Sequence, residues 1–500
     1  MIRVVQMALL EHYLTHIQTK KQQISVQEKG VIAFLASLDY LEEKAPSIQR
    51  SILQELQAQR RHLKLIASEN FSSLASQLAM GNLLTDKYAE GFPSHRFYAG
   101  CENVDALEKE AADLLKEIFG CDHAFVQPPS GADANLLAFW TILVKKIEHP
   151  SIEKLGKKNL NELNQSEYEE LRCLLSSQRI LGMSLDAGGH LTHGYRQNIS
   201  GKMFQSFGYG VDPKTHLVDY DALLAQAKQV RPLILIAGYS AYPRRLNFAR
   251  MRAIADEVGA VLMVDMAHFA GLVAGKVMQG EENPIPYADI VTSTTHKTLR
   301  GPRGGFLLCK KEFEETVNKA CPLMMGGPLP HVMAAKAVAF KEACTLDFQH
   351  YAKQIVDNAR ALAQELNQRG AKLITGGTDN HMIVMDVTPF GINGRQAESL
   401  LQECGIMVNR NAIPFDTNGP WYTSGIRIGT PAITTLGMGK TEMQTIAHMI
   451  TSLLSHASRE EGSKVKAKVP DTVCTQVREQ LKELLTAYPL YPEIILGPQA

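Results

Sequence analysis

Net charge is the first thing this 500-residue chain lacks: Lys+Arg and Asp+Glu both total 52. A balanced charge gives no global attraction to nucleic acid or to an anionic membrane surface. No apolar run approaches the ~20 residues that a membrane helix needs. The eight cysteines, at positions 101, 121, 173, 309, 321, 344, 404 and 474, include no C-x-x-C pair. That scatter speaks against a disulfide framework or a structural zinc site and suits reduced thiols. The amino terminus, MIRVVQMALLEHYL, is apolar in patches, but Gln6 and Glu11 interrupt it and no small-residue cleavage site follows. It reads as a helix rather than a signal peptide, and it is neither Arg-rich nor Ser-rich, as a transit peptide would be. The expected location is cytoplasmic.

What is present is enough chain for two to four domains on the usual scale of domain size, organised around residues 291–305, VTSTTHKTLRGPRGG. The β-branched opening fits a pleated strand, and Gly301, Pro302, Gly304 and Gly305 punctuate a turn. Lys297 falls where strand gives way to loop. On the rim where open α/β sheets bind ligands, such a lysine is placed for Schiff-base chemistry. A second apolar run, AVLMVDM at 260–266, ends in Asp265 and is followed by His268. An acid at the end of a buried strand is costly unless something pairs with it. Pyridoxal phosphate needs both groups, a carboxylate at its pyridinium nitrogen and a lysine at its aldehyde.

The rest of the chain supplies supporting features. Residues 1–45 form an expected helical extension, and 46–90 an arm that contains IASEN at 66–70. The loop KYAEGFPSHRFYAG from Lys87 crowds Tyr88, Glu90, Arg96 and Tyr98 together, and polar and aromatic residues gathered on a loop hint at function. Ser130, Gly131 and Ala132 open a helix whose N-terminal N–H groups suit a phosphate. LDAGGHLTHG at 185–194 carries His190 and His193. With no carboxylate or cysteine beside them in the sequence to complete a ligand set, stacking of His190 on a flat cofactor ring is the better reading, and no metal is expected. Expected strands at 124–127 and 232–237 alternate with expected helices at 219–229 and 248–257, which argues for right-handed crossovers and a mostly parallel sheet. Residues 146–178 are charged and helix-forming, with a capping box expected at Ser166 and Glu169, and look inserted. Beyond residue 345 a long helix, a strand at 381–387 and SGIRIGTPAIT around Arg427 mark a smaller domain, 346–500. That arginine suits bidentate capture of a carboxylate. The stretch 434–441, TTLGMGKT, ends like a phosphate loop but lacks its first glycine and its leading strand, so it is not read as a nucleotide site.

LIASENF, KYAEGFP, GGHLTHG, VDMAHFAGLVA, the Lys297 segment, GGTDNH and SGIRIGTPAIT stand in this order, and so arranged the chain resembles the serine hydroxymethyltransferases from about residue 46 onward. The resemblance implies an α/β fold of the aspartate-aminotransferase type. Its large domain, 91–345, would hold a mostly parallel seven-stranded sheet between helices, beside a smaller α+β C-terminal domain. It also implies a homodimer with shared active sites, pyridoxal 5'-phosphate held covalently on Lys297, and interconversion of serine and glycine with tetrahydrofolate as co-substrate. Asp265 would bind the ring nitrogen, His190 would stack on the ring and His268 would sit beside the phenolic oxygen. Ser130 and Gly131 would cradle the phosphate, with Tyr88 and Gly327 of the partner subunit. Ser68 and Arg427 would hold the amino-acid carboxylate, and Glu90 would handle protons near the serine hydroxyl and the folate. Tyr98 would order that side, Thr294 would guide amine exchange beside Lys297, and Leu185, Leu191 and Asn411 would contact the folate. Ala132 and Asp133 depart from the family's Ser and Gln, Phe97 and Ala99 from Tyr and Gly, and residues 322–325 from a more glycine-rich loop. A folate-independent pyridoxal-phosphate aldolase or racemase would use the same core residues, and a non-catalytic binding paralogue is the alternative of another class.

Overall fold

The computed structural model describes residues 8–18 and 24–496; the first residues of the expected N-terminal helix, 1–7, lie outside this range. Seven strands form the central sheet in the order His123–Phe125, Gly305–Cys309, Ile290–Thr294, Val261–Asp265, Ile234–Gly238, Arg179–Met183, Gln205–Tyr209. All neighbours pair in parallel except Gly305–Cys309, which runs antiparallel to both of its partners. Every residue of the four central strands from 234 to 309 is buried. A sheet covered by helices on both faces demands such continuous apolar runs rather than alternation. The expected strands are present, shifted by one or two residues at their ends.

Helix Glu102–Phe119 ends on Gly120 at φ 72°, and Phe248–Val258 ends on Gly259 at φ 71°, left-handed caps that glycine adopts without a Cβ clash. Tyr220–Val230 begins at Asp219, whose carboxylate accepts from Asp221 N and Ala222 N. A second, four-stranded antiparallel sheet runs Lys372–Leu373, Met382–Asp386, Gly425–Gly429, Asn409–Asn411 and has its own apolar core, with Ile426, Ile428, Ile446 and Ile450 fully buried. The two-residue strand Leu63–Lys64 pairs in parallel with Ile406–Met407, so the chain just before Ser68 is anchored to this smaller sheet. Helices Leu9–Gln18, Val26–Lys44 and Pro46–Arg61 pack with Leu490 and Ile494 in a further cluster.

One expectation needs correction. The helix inside 146–178, Gln165–Ser176, is capped by Asn164 with Glu167, not by Ser166 with Glu169. Both pairs fit the capping pattern, but the chain is extended at Asn164 (ψ 171°) and already helical at Ser166. Within this segment Ile152 and Leu171 are buried, and Lys146 pairs with Glu312 at 2.9 Å. The phosphate-loop-like stretch behaves as expected of a decoy: Pro431–Thr435 is a short helix, and Gly439 starts the next helix, Lys440–Ser455.

Candidate active site

Lys297 lies three residues beyond strand Ile290–Thr294 and Asp265 ends strand Val261–Asp265, at the carboxyl edge of the sheet where α/β folds bind ligands. They open onto one cavity of about 490 Å³ that Ser68, Ser130, Gly131, His190, His268, Thr294 and Arg427 also line. Two lysines, 297 and 336, are among the most buried groups, 9% and 1% exposed. Lys336 Nζ donates to the carbonyls of Val126, Pro128 and Gly305 at 2.7–2.9 Å and is fully committed. Lys297 Nζ makes no hydrogen bond among the described residues, and its carbonyl accepts from Asn70 Nδ2 at 2.8 Å. Burial pulls its pKa down to about 8, helped by Arg427 and Arg303 and opposed by the charge of Asp265. An amine so perturbed is partly unprotonated near neutral pH, as a nucleophile must be.

Asp265 is held as an anion in spite of its burial. Desolvation opposes the charge, but the hydrogen bond and charge of His193, with His190 and Asn135, outweigh it and lower the carboxyl well below its ordinary range. His193 Nε2 lies 3.1 Å from Oδ2, Asn135 Nδ2 donates to the same oxygen at 2.8 Å, and Ala267 N donates to Oδ1 at 3.0 Å. His190 is pushed down to about 4 by burial, so its ring is neutral, and its Nδ1 lies 2.7 Å from Thr192 Oγ1. His268 is buried and neutral for the same reason, and its Nδ1 lies 3.2 Å from His381 Nε2.

From the smaller sheet Arg427 donates Nη1 to Ser240 O at 2.6 Å and Nη2 to Asn409 Oδ1 at 3.0 Å. Burial lowers it only to about 10, so it stays cationic. Two protein acceptors do not saturate a guanidinium's five donors, which leaves N–H groups for a ligand in the cavity. Thr294 Oγ1 donates to Ala267 O at 3.2 Å.

The helix Gly131–Leu143 starts at the cavity with Ser130 as its N-cap. A Cβ on Gly131 would come within 2.6 Å of Thr294 Cγ2, so this turn needs glycine for the close approach. Ser130 Oγ donates to Asp133 Oδ2 at 2.7 Å and accepts from Asp133 N at 3.1 Å. The departure at 133 therefore takes the Ser130 proton, and backbone N–H groups are left as the donors for a phosphate. A free amine, a fixed carboxylate, a neutral imidazole and a helix N-terminus around one cavity match the aldehyde, ring nitrogen, ring face and phosphate of pyridoxal phosphate.

The donor atoms of His190, His193 and Asp265 all lie within 4.8 Å of one another. Counting sequence neighbours missed this, because the carboxylate arrives from strand Val261–Asp265 while His190 caps and His193 ends the turn Leu191–His193. Each of the three already has a protein partner, and the donors around Asp265 suit an anion facing a ring nitrogen.

The model of the family described as serine hydroxymethyltransferase matches residues 41–150 and 161–450. The chain belongs to the serine hydroxymethyltransferase family. It is 56% identical over 495 residues to a serine hydroxymethyltransferase of Chlamydia trachomatis serovar D, covering 98% of this chain and 99% of that protein. It is 58% identical over 468 residues to that of Treponema pallidum, covering 93% and 82%. With the Mycolicibacterium smegmatis protein the identity is 55% over 464 residues, covering 93% and 95%. The interruption at 151–160 in the family match falls inside the segment that looked inserted.

The remaining family positions do not line this cavity. Tyr88, Tyr98 and Gly327 stand together elsewhere on the same chain: the two tyrosine rings are 4.5 Å apart, and a Cβ on Gly327 would touch the Tyr88 ring at 3.1 Å. Glu90 is close enough that its charge raises the Tyr88 phenol. Both tyrosines are about half exposed. A second cavity of about 660 Å³ adjoins the first at His190 and is lined by Leu185, Tyr195, Phe207, Ala412 and Pro420. Leu191 and Asn411 line neither cavity.

Sequence reasoning missed Asn135 and His193 as the donors that hold Asp265. A polar Asn inside the apolar helix run NLLAFW was the available signal, since a buried amide there needs partners.

Proposed function

We propose that the chain is a pyridoxal-phosphate-dependent transferase that interconverts serine and glycine and passes the one-carbon unit to tetrahydrofolate, a step of one-carbon metabolism and glycine biosynthesis. The observation that carries this reading is the pairing of a buried, partly deprotonated Lys297 with an anionic Asp265 in one cavity that Arg427 also lines. Pyridoxal phosphate, when bound, supplies an electron sink next to the Cα of the amino acid. Lys297 would hold it covalently, Asp265 would keep its ring nitrogen protonated, His190 would stack on its face and His268 would sit at its phenolic oxygen. Gly131 and the helix N-terminus, with Ser130 as cap, would receive the phosphate. Ser68 and Arg427 would hold the substrate carboxylate and so orient the amino acid, and Thr294 would assist amine exchange at Lys297.

The half-exposed tyrosine cluster supports a homodimer in which Tyr88, Glu90, Tyr98 and Gly327 of the partner subunit complete the cavity. The adjoining cavity with Leu185 is the folate site, and Leu191 and Asn411 follow and precede two of its lining residues, His190 and Ala412. The working division of the chain is an extension 1–45, an arm 46–90, a large domain 91–345 with 146–178 inserted, and a small domain 346–500. No helix of the described residues is long and apolar enough to cross a membrane, and the eight free cysteines fit a cytoplasmic enzyme.

The test is glycine formation from serine with and without added tetrahydrofolate. A rate that rises steeply with folate is expected. A rate indifferent to folate would favour the aldolase or racemase reading instead.

A further inference from the structure

Helix Gly394–Glu403 ends at Cys404, and Cys474 occupies the first turn of helix Asp471–Ala487. Although 70 residues apart in sequence, their Sγ atoms are 2.7 Å apart. Both are free thiols. A disulfide bond is about 2.05 Å long, so joining them asks the sulfurs to approach by only about 0.65 Å. The neighbouring backbone is already tied: Arg478 Nη2 donates to Glu403 O at 2.8 Å. Cys404 is 1% exposed and lines a cavity of about 480 Å³ with Arg61, Arg478 and Lys482, while Cys474 is half-buried. The reaction proposed above uses neither thiol.

We propose that Cys404 and Cys474 form a reversible oxidation site, closed to an intramolecular disulfide by a hydroperoxide. Cys474 reacts first. It is the more accessible of the two, and a thiol must be reached by the peroxide before it can react. Burial and its neighbour Cys474 hold the Cys404 thiol above its ordinary value, so Cys404 keeps its proton until the second step. The Cys474 thiolate attacks one peroxide oxygen, the O–O bond breaks, and a sulfenic acid forms as the other oxygen leaves as hydroxide or alkoxide. Cys404 then attacks that sulfur, the S–S bond forms, the S–O bond breaks and water departs with the Cys404 proton. The two sulfurs together lose two electrons, and the hydroperoxide gains them. The product pins the end of one small-domain helix to the start of the other.

Peptide mapping of the holoenzyme tests this. Hydrogen peroxide is added in graded amounts, remaining thiols are alkylated, and the digest is run without reductant. A peptide linking Cys404 to Cys474, lighter by two hydrogen atoms and restored by dithiothreitol, is expected before the exposed Cys173 and Cys344 are consumed. In Cys404→Ser, Cys474 should stop at a sulfenic acid that a dione reagent captures. In Cys474→Ser, at a half-exposed position that tolerates serine, Cys404 should remain alkylatable. Overoxidation of wild-type Cys474 with Cys404 still a free thiol, or oxidation of Cys404 at an undiminished rate in Cys474→Ser, would overturn the proposal.

Discussion

Replacing Arg427 with lysine separates substrate binding from cofactor retention. Arg427 sits mid-strand in Gly425–Gly429, paired in register with Val384 and Asn409, so its backbone has little freedom to follow a shorter side chain. Arg427 is 9% exposed, and its guanidinium is braced by Ser240 O at 2.6 Å and Asn409 Oδ1 at 3.0 Å. Lysine offers a single nitrogen and cannot keep both braces and two parallel bonds to a carboxylate. Losing one charge-assisted hydrogen bond from a buried site costs about 1.5–3 kcal/mol, or roughly 10- to 150-fold in affinity at about 1.4 kcal/mol per decade. The assay is a titration with glycine and with serine, alongside the cofactor's absorbance. Glycine and serine should bind more weakly by that factor while cofactor content stays at the wild-type level. A KM within about twofold of wild type would refute the reasoning, because less than about 0.4 kcal/mol would then have been lost. The carboxylate would have to be held elsewhere, with Arg303, which lines the same cavity, the next residue to change.

Further outcomes follow from the same geometry. Lys297→Gln should fold normally but lose multiple turnover, and near-wild-type steady-state rates would contradict its role. Asp265→Asn leaves the donors of His193, Asn135 and Ala267 facing a neutral amide, and kcat should fall by more than tenfold, about 1.4 kcal/mol. A smaller loss would mean that Asp265 is not the ring-nitrogen partner. Capture of the cofactor by apoenzyme needs an unprotonated amine, and Lys297 is lowered from its ordinary 10.5 to about 8. The rate of capture should therefore rise with pH and level off above about 8, and a rise continuing to 10 would place the reacting amine elsewhere. Replacing residues 146–178 with a short Gly/Ser linker should leave serine cleavage largely intact, since only Leu171 and Ile152 are buried in its two helices. Loss of the cofactor spectrum would show that the segment supports the site.

The central sheet was readable because strands buried on both faces leave unbroken apolar runs, and the reactive residues fall at the ends of those runs, where polar groups interrupt them. Lys297 and Asp265 were visible for that reason. Their partners were not, because His193 and Asn135 reach Asp265 across 72 and 130 residues of sequence and owe their role to tertiary proximity alone. The same blindness hid the approach of Asp265 to the two histidines. The loop from Lys87 was legible as a functional cluster from its own residues, but only the family resemblance, which assigned Tyr88 to the partner subunit, set it apart from its own chain's cavity. The cap of helix Gln165–Ser176 was misplaced by two residues because Asn164 and Ser166 both precede a glutamate by three, and only the backbone path chooses between them.

The most direct test of the central claim is where the cofactor is attached. Two buried lysines carry depressed pKa values, Lys297 at about 8 and Lys336 at about 7, and only Lys297 has an amine free to react. Borohydride reduction of the holoenzyme makes the lysine–cofactor link permanent, and mass mapping of the digest then locates it. A single pyridoxyl-modified peptide containing Lys297 is the predicted result; modification at Lys336 or at any other lysine would contradict the account.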